Sequence, residues 1–165
     1  MLKQKIQAHI KEAMKAHDEL LLTVLRGAIA AVNSKQAEKR YALVKADAAK
    51  TEEVLVAEST LTDDEIIGVI SSEIKKRRDA IALYEQGGRA ELAEGERKEI
   101  VMLQAYLPEQ LSADELKKLI EESIAKVGAS SVKDMGKIMA DLVPKTKGRA
   151  ENSEISKIIK ELLNQ

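Results

Sequence analysis

Cysteine is absent from this chain, and so are phenylalanine and tryptophan. The first absence excludes disulfides, thiolate metal sites and cysteine nucleophiles. The second leaves Tyr41, Tyr84 and Tyr106 as the only aromatic residues. A core must then be packed from Leu, Ile, Val, Ala and Met, side chains that suit helix–helix contact better than packed sheets. No apolar run approaches the ~18 residues of a membrane span. The opening Met1-Leu2-Lys3-Gln4-Lys5 stays amphipathic, unlike a signal segment, so a cytoplasmic protein is expected. A dominant sign of charge is also lacking: 27 basic and 28 acidic residues give a net charge of −1. That balance argues against non-specific coating of nucleic acid but leaves room for a local basic patch.

What is present is helical periodicity. With 165 residues, 44% of them hydrophobic, the chain is long enough for one or two domains with a sizeable core. Leu2, Ile6, Ile10, Ala13 and Met14 lie on one face of a first helix. Leu21, Leu25, Ala28, Ile29 and Val32 form the stripe of a second, with Asp18 as its N-cap. Residues 34–60 are rich in Ala, Lys and Glu with a weak apolar stripe (Val44, Val54, Leu55), which predicts an exposed helical extension and hairpin. Thr62-Asp63-Asp64-Glu65 and Ser112-Ala113-Asp114-Glu115 are capping boxes, with Leu61/Ile66 and Leu111/Leu116 as hydrophobic staples.

The helix after Thr62 ends at Gly87-Gly88. The next carries Leu92, Ile100, Leu103 and Leu107 inward and stops at Pro108. A helix with Leu116, Leu119, Ile120, Ser123, Ile124 and Val127 ends at Gly128. One with Met135, Ile138, Met139, Leu142 and Val143, capped by Ser130 or Ser131, is expected to stop at Pro144. A polar loop from Pro144 to Ser153 follows, then a short helix with Ile155, Ile158, Ile159, Leu162 and Leu163. The expected fold is all-α: an N-terminal four-helix-like domain over 1–108 and a small three-helix domain over 109–165.

Catalytic patterns are scarce. No phosphate loop of Walker or Rossmann spacing occurs, and no serine sits in a nucleophile elbow. His9 and His17 read as surface or boundary residues. Carboxylates fall beside cations on helix faces, as in the i,i+4 pairs Glu73/Arg77 and Lys75/Asp79. No catalytic residue, cofactor or metal site is assigned. Lys75-Lys76-Arg77-Arg78 spreads around its helix and reads first as a solvated, salt-bridged turn, second as a contact surface for RNA or a neighbouring helix.

Lys145-Thr146-Lys147-Gly148-Arg149 is different, because no acid interrupts it and Gly148 permits a positive-φ turn. Lys133 and Lys137 precede it, and Lys157 and Lys160 follow. Such cations beside a helix start suit phosphate oxygens, although a solvated loop has the same composition. No aromatic residue follows Tyr106, so any RNA contact here would read backbone shape rather than stack bases.

Several ordered motifs resemble the YqeY-like proteins of the GatB/YqeY family. They are Thr23-Val24-Leu25-Arg26; Lys75-x-Arg77-Arg78-Asp79; Tyr84-x-x-Gly87-Gly88-Arg89-x-x-Leu92-Ala93; Glu99-Ile100-x-x-Leu103-x-x-Tyr106-Leu107-Pro108-x-Gln110-Leu111-Ser112; Gly128-Ala129-Ser130; Asp134-Met135-Gly136-Lys137-x-Met139; and Lys145-x-Lys147-Gly148-Arg149-Ala150. Between about Gln36 and Ser59 the chain is longer than the linker associated with that family, and no family motif falls there. The resemblance implies an all-α fold whose small C-terminal domain is shared with the tail of the B subunit of the tRNA-dependent amidotransferase, where it helps grip tRNA. It also implies a carbon–nitrogen ligase activity with glutamine as amide donor, although the catalytic cradle of that subunit lies outside the shared domain.

Three functions follow as expectations. The first is a tRNA-binding accessory module. In it Lys137, Lys145, Lys147 and Arg149 contact phosphates, Lys133 supports them, and Gly136 and Gly148 permit close approach. The second is part of an amide-transfer enzyme. The third is a protein-interaction adaptor using the 34–60 stretch.

Overall fold

The computed structural model describes residues 1–163, and among these all regular structure is helical. The chain divides into two compact units, one from Met1 to Tyr106 and one from Leu107 onward. The first unit contains α1 (Leu2–Ala16), α2 (Glu19–Ala46), α3 (Glu52–Ser59), α4 (Asp63–Gln86) and α5 (Ala90–Gln104). The second contains α6 (Ala113–Val127), a short 3-10 turn (Val132–Asp134), α7 (Met135–Thr146) and α8 (Asn152–Leu163). No helix among the described residues is long and apolar enough to cross a membrane.

Local chemistry sets the helix boundaries. Asp18 accepts from the Leu21 amide at 3.0 Å and opens α2. Thr62 and Ser112 each form a complete capping box, with Glu65 and Glu115 reaching back to the cap amides at 2.8 and 2.9 Å. Both glutamates are held below the usual carboxylate range. For Glu65 the Lys39 ammonium acts first and the Thr62 amide second; for Glu115 the Ser112 hydroxyl and amide dominate.

Helices α1, α4 and α6 close with the same pair of bonds, in which the first left-handed residue and its successor donate back into the last turn. Gly88 and Gly128 supply the left-handed residue for α4 and α6. For α1 it is His17, at φ 55°.

α2 is the spine of the first unit. Its 28 residues span about 42 Å at the helical rise, and it packs against α1, α3, α4 and α5. That many neighbours widens its buried face beyond the predicted stripe: Leu22 and Val24 are buried with Leu25, Ala28 and Val32, while Leu21 and Ile29 are only partly covered. The stretch 34–60 becomes the second half of α2, a turn, and α3 folded back on α2. Leu55 is buried by the chain's own helices, whereas Val44 and Val54 remain exposed. Arg40–Glu52 (2.6 Å) and Lys39–Glu65 (2.8 Å) tie α2 to α3 and to α4. In α5 the inward residue is Ala93 at 0% exposure, not Leu92 at 48%, and it shares its buried face with Ile100 and Leu103.

The core of the second unit draws two residues from each helix: Leu116 and Ile120, Ile138 and Leu142, Ile155 and Ile159. Here Pro144 does not stop its helix, since α7 continues to Thr146 and Lys145 lies in its last turn rather than in a loop. An interior proline removes one backbone bond. At the exposed end of α7 that loss is offset by the buried stripe Ile138–Leu142–Thr146 and by the Thr146 hydroxyl donating to the Leu142 carbonyl at 2.9 Å. The polar loop is correspondingly short, and α8 begins at Asn152. Ser131 caps only the 3-10 turn, while the Ser130 amide donates to the Asp134 carboxylate at 3.4 Å.

Candidate nucleic-acid interface

The basic segment after Pro144 is half helix and half strap. Lys145 sits in the last turn of α7, Lys147 is its C-cap, and Gly148 takes φ 72° so that the chain can turn toward α8. This strap is bonded to the segment that opens the second unit. Gln110 Nε2 donates to the Gly148 carbonyl at 2.6 Å, the Leu111 amide to the Arg149 carbonyl at 2.9 Å, and Arg149 Nε to the Glu109 carbonyl at 3.0 Å. Two sequence motifs nearly forty positions apart, Pro108-x-Gln110-Leu111 and Lys147-Gly148-Arg149, are therefore one structural element. The Gly148, Arg149 and Glu109 carbonyls, which a loop would leave to water, are satisfied within this element, two of them by side chains.

The candidate cations fall into two sets. Lys137 and Lys145, which are ion-paired, form one set; with Asp141 between them they recur at four-residue spacing along α7. Lys137 pairs with Asp134 at 2.8 Å, and Lys145 with Asp141 at 2.5 Å. Lys126 at the end of α6, a residue that sequence reasoning passed over, reaches the same Asp141 at 2.5 Å. The Lys126 and Lys145 ammonium groups hold the Asp141 carboxyl well below the usual carboxylate range. The Asp134 carboxylate likewise raises Lys137 and is itself lowered by it.

Lys133 and Lys147 make up the other set: both are exposed and have no ionic partner among the described residues. Arg149 is partly buried, with its Nε committed to Glu109. Gly136 lies exposed in the first turn of α7, and a methyl group added there would meet nothing within 4 Å. Packing does not demand glycine at that position, and the helix surface beside Lys133 and Lys137 is open.

This face carries Lys126, Lys133, Lys137 and Lys145 against Asp134 and Asp141, an excess of two positive charges. Paired ammonium groups keep protons that are not used by their carboxylate, and each can still donate to a second anion. Lys126 was missed because it ends a helix in which it reads as a dipole-complementing cation; only packing of α6 on α7 brings it to Asp141.

The Lys75–Arg78 cluster belongs elsewhere. Lys75 pairs with Asp79 at 3.4 Å, Lys76 with Glu73 at 2.6 Å, and Arg77 spans Glu73 on its own helix and Glu99 on α5 at 3.3 and 2.9 Å. Its Arg77 is a bridge between α4 and α5.

Among curated proteins, none matches this chain. The family model described as Yqey-like protein matches residues 42–163, from the end of α2 through α8, and so takes in the 109–111 segment, the strap and the basic face. With most of its length covered by that match, the chain belongs to the YqeY-like family.

Proposed function

We propose that this protein is an RNA-binding accessory module whose C-terminal unit grips the phosphate backbone of a folded RNA, tRNA being the class implied by the relation to the amidotransferase tail. The observation that carries this reading is the strap. Its backbone is fixed by three hydrogen bonds to the 109–111 segment, while Lys147 beside them is left exposed without an ionic partner. A rigid backbone presenting free cations lowers the ordering cost of binding a polyanion. Lys133, Lys137 and Lys145 extend the contact along α7, and Gly136 and Gly148 admit a sugar–phosphate chain close to the backbone.

The same geometry selects the variants. Arg149→Ala would break the Glu109 bond and loosen the strap from the 109–111 segment, so it confounds binding with folding. Lys133→Glu/Lys147→Glu removes no side-chain bond among the described residues. Wild type is expected to bind tRNA with an affinity that falls steeply as salt rises, and the double variant to bind about tenfold or more weakly with a shallower salt slope. Binding unchanged in this variant, or absent in wild type at low salt, would overturn the proposal.

A further inference from the structure

The first unit holds a feature that the RNA reading does not use. An open groove of about 310 Å³ lies between the start of α1, the middle of α2 and α3. Lys3 and Arg40 supply its charge, Asn33 and Gln36 its carboxamides, and Ala37, Val56 and the buried Ser59 complete its lining. No carboxylate lines it among the described residues.

The polar groups are biased toward donation. Lys3 Nζ donates to Gln36 Oε1 at 3.0 Å, which uses the amide oxygen of Gln36 and leaves its NH2 group without a partner among the described residues. The Asn33 side chain is likewise unpartnered there. Arg40 gives one terminal nitrogen to Glu52 at 2.6 Å, and that bond raises the guanidinium above its ordinary value. Its remaining N–H groups stay available. Glu52 anchors Arg40 beside the groove while partly compensating its charge. Two cations and two carboxamides rim a concavity whose wall is mainly apolar, a recognition set for an anion carrying a short carbon body. With one water occupying roughly 30 Å³ of liquid, the space suits a ligand of on the order of ten heavy atoms. The walls contributed by α1 and by α2 up to Arg40 lie before residue 42, where the family match begins, so the family relation assigns nothing to them.

We infer that this groove binds a small organic anion, a carboxylate or a phosphate monoester, held by Lys3, Arg40, Asn33 and Gln36. The test is a titration of the full chain, followed through the side-chain amide resonances of Asn33 and Gln36. The probes are inorganic phosphate, succinate and 3-phosphoglycerate, so that the arms separate phosphate from carboxylate recognition and either from a need for both. Saturable shifts at Asn33 and Gln36 are expected with at least one probe, in the millimolar range or tighter.

Asn33→Asp places a carboxylate in the lining at an exposed position that makes no internal hydrogen bond, and Lys3→Gln removes a cation. Each is expected to weaken binding about tenfold or more, the usual loss for one charge-assisted hydrogen bond, with an unchanged unfolding midpoint for Asn33→Asp. Absence of saturable shifts with all three probes, or equal binding by Asn33→Asp, would overturn the inference. So would shifts at these amides that appear only with tRNA, which would make the groove part of an RNA surface. Loss of tRNA binding in the Lys133/Lys147 variant with anion binding retained would leave this inference standing, because the two sites share no residue.

Discussion

The two units are built from the same helix-forming vocabulary, yet they bury it differently. In the second unit α6, α7 and α8 each give two side chains to one cluster, and every one of the six lies on the apolar stripe of its helix. In the first unit α2 meets four other helices, and its buried face includes Leu22 and Val24, which lie off the predicted stripe. A helix with few neighbours buries a narrow face and advertises it at three- and four-residue spacing. A helix packed by several partners buries a wider face, and the period blurs.

Truncating the compact cluster should have the largest effect. Ile120→Ala removes a fully buried side chain and is expected to cost about 2–5 kcal/mol, read as a lowered urea midpoint. A cost below about 1 kcal/mol would show that this core is less tightly packed than its burial indicates.

The pair at the α4–α5 contact sharpens the contrast from the other side. Ala93→Leu should cost about 1–3 kcal/mol by overpacking, whereas Leu92→Ala, at a half-exposed neighbour, should stay within about 0.5 kcal/mol. The reverse ranking in denaturant titrations would restore Leu92 as the inward residue.

A smaller effect separates two helix ends of the same geometry. His17 ends α1 at φ 55° and Gly128 ends α6 at φ 65°. His17→Gly should stabilise by about 1 kcal/mol, and Gly128→Ala should destabilise by about as much. No atom would touch the added methyl group at 128, so the cost is backbone conformation alone. Thermal unfolding of both variants is the check, and shifts of the same sign would break the comparison.

The smallest effect is electrostatic. Asp141 is held low by Lys126 and Lys145, so its folded pKa lies below the unfolded value of about 3.9. Its contribution is present above that value and is lost as pH falls toward the folded pKa. Wild type should therefore lose more stability on acidification below about pH 4 than Asp141→Asn does, and added salt should shrink the difference. Parallel acid titrations of the two proteins would refute the pairing.

Much of the frame was legible in one dimension. Capping boxes at Thr62 and Ser112, the N-cap at Asp18, the glycine ends at Gly88 and Gly128 and the i,i+4 pairs Glu73/Arg77 and Lys75/Asp79 all follow from groups within a few residues of one another. The end of α7 was not legible. A proline rule applied to Pro144 predicts a stop, but the burial of Ile138, Leu142 and Thr146 by α6 and α8 outweighs the one lost bond. The candidate interface divides in the same way. Lys133, Lys137, Lys145, Lys147 and Arg149 stand out as cations around one glycine. That Arg149 holds the strap to Glu109 and that Lys126 reaches Asp141 depends on partners far along the chain.

The sequence by itself determined the helical class, the places where most helices begin and end, and the apolar stripes from which the second unit's core is drawn, because caps, periodicity and glycine conformations are local. Only the tertiary structure decided which face of α2 is buried, how far α7 runs, and which cations remain unpaired, because each of these is settled by the neighbour that arrives to cover an apolar surface or share a charge.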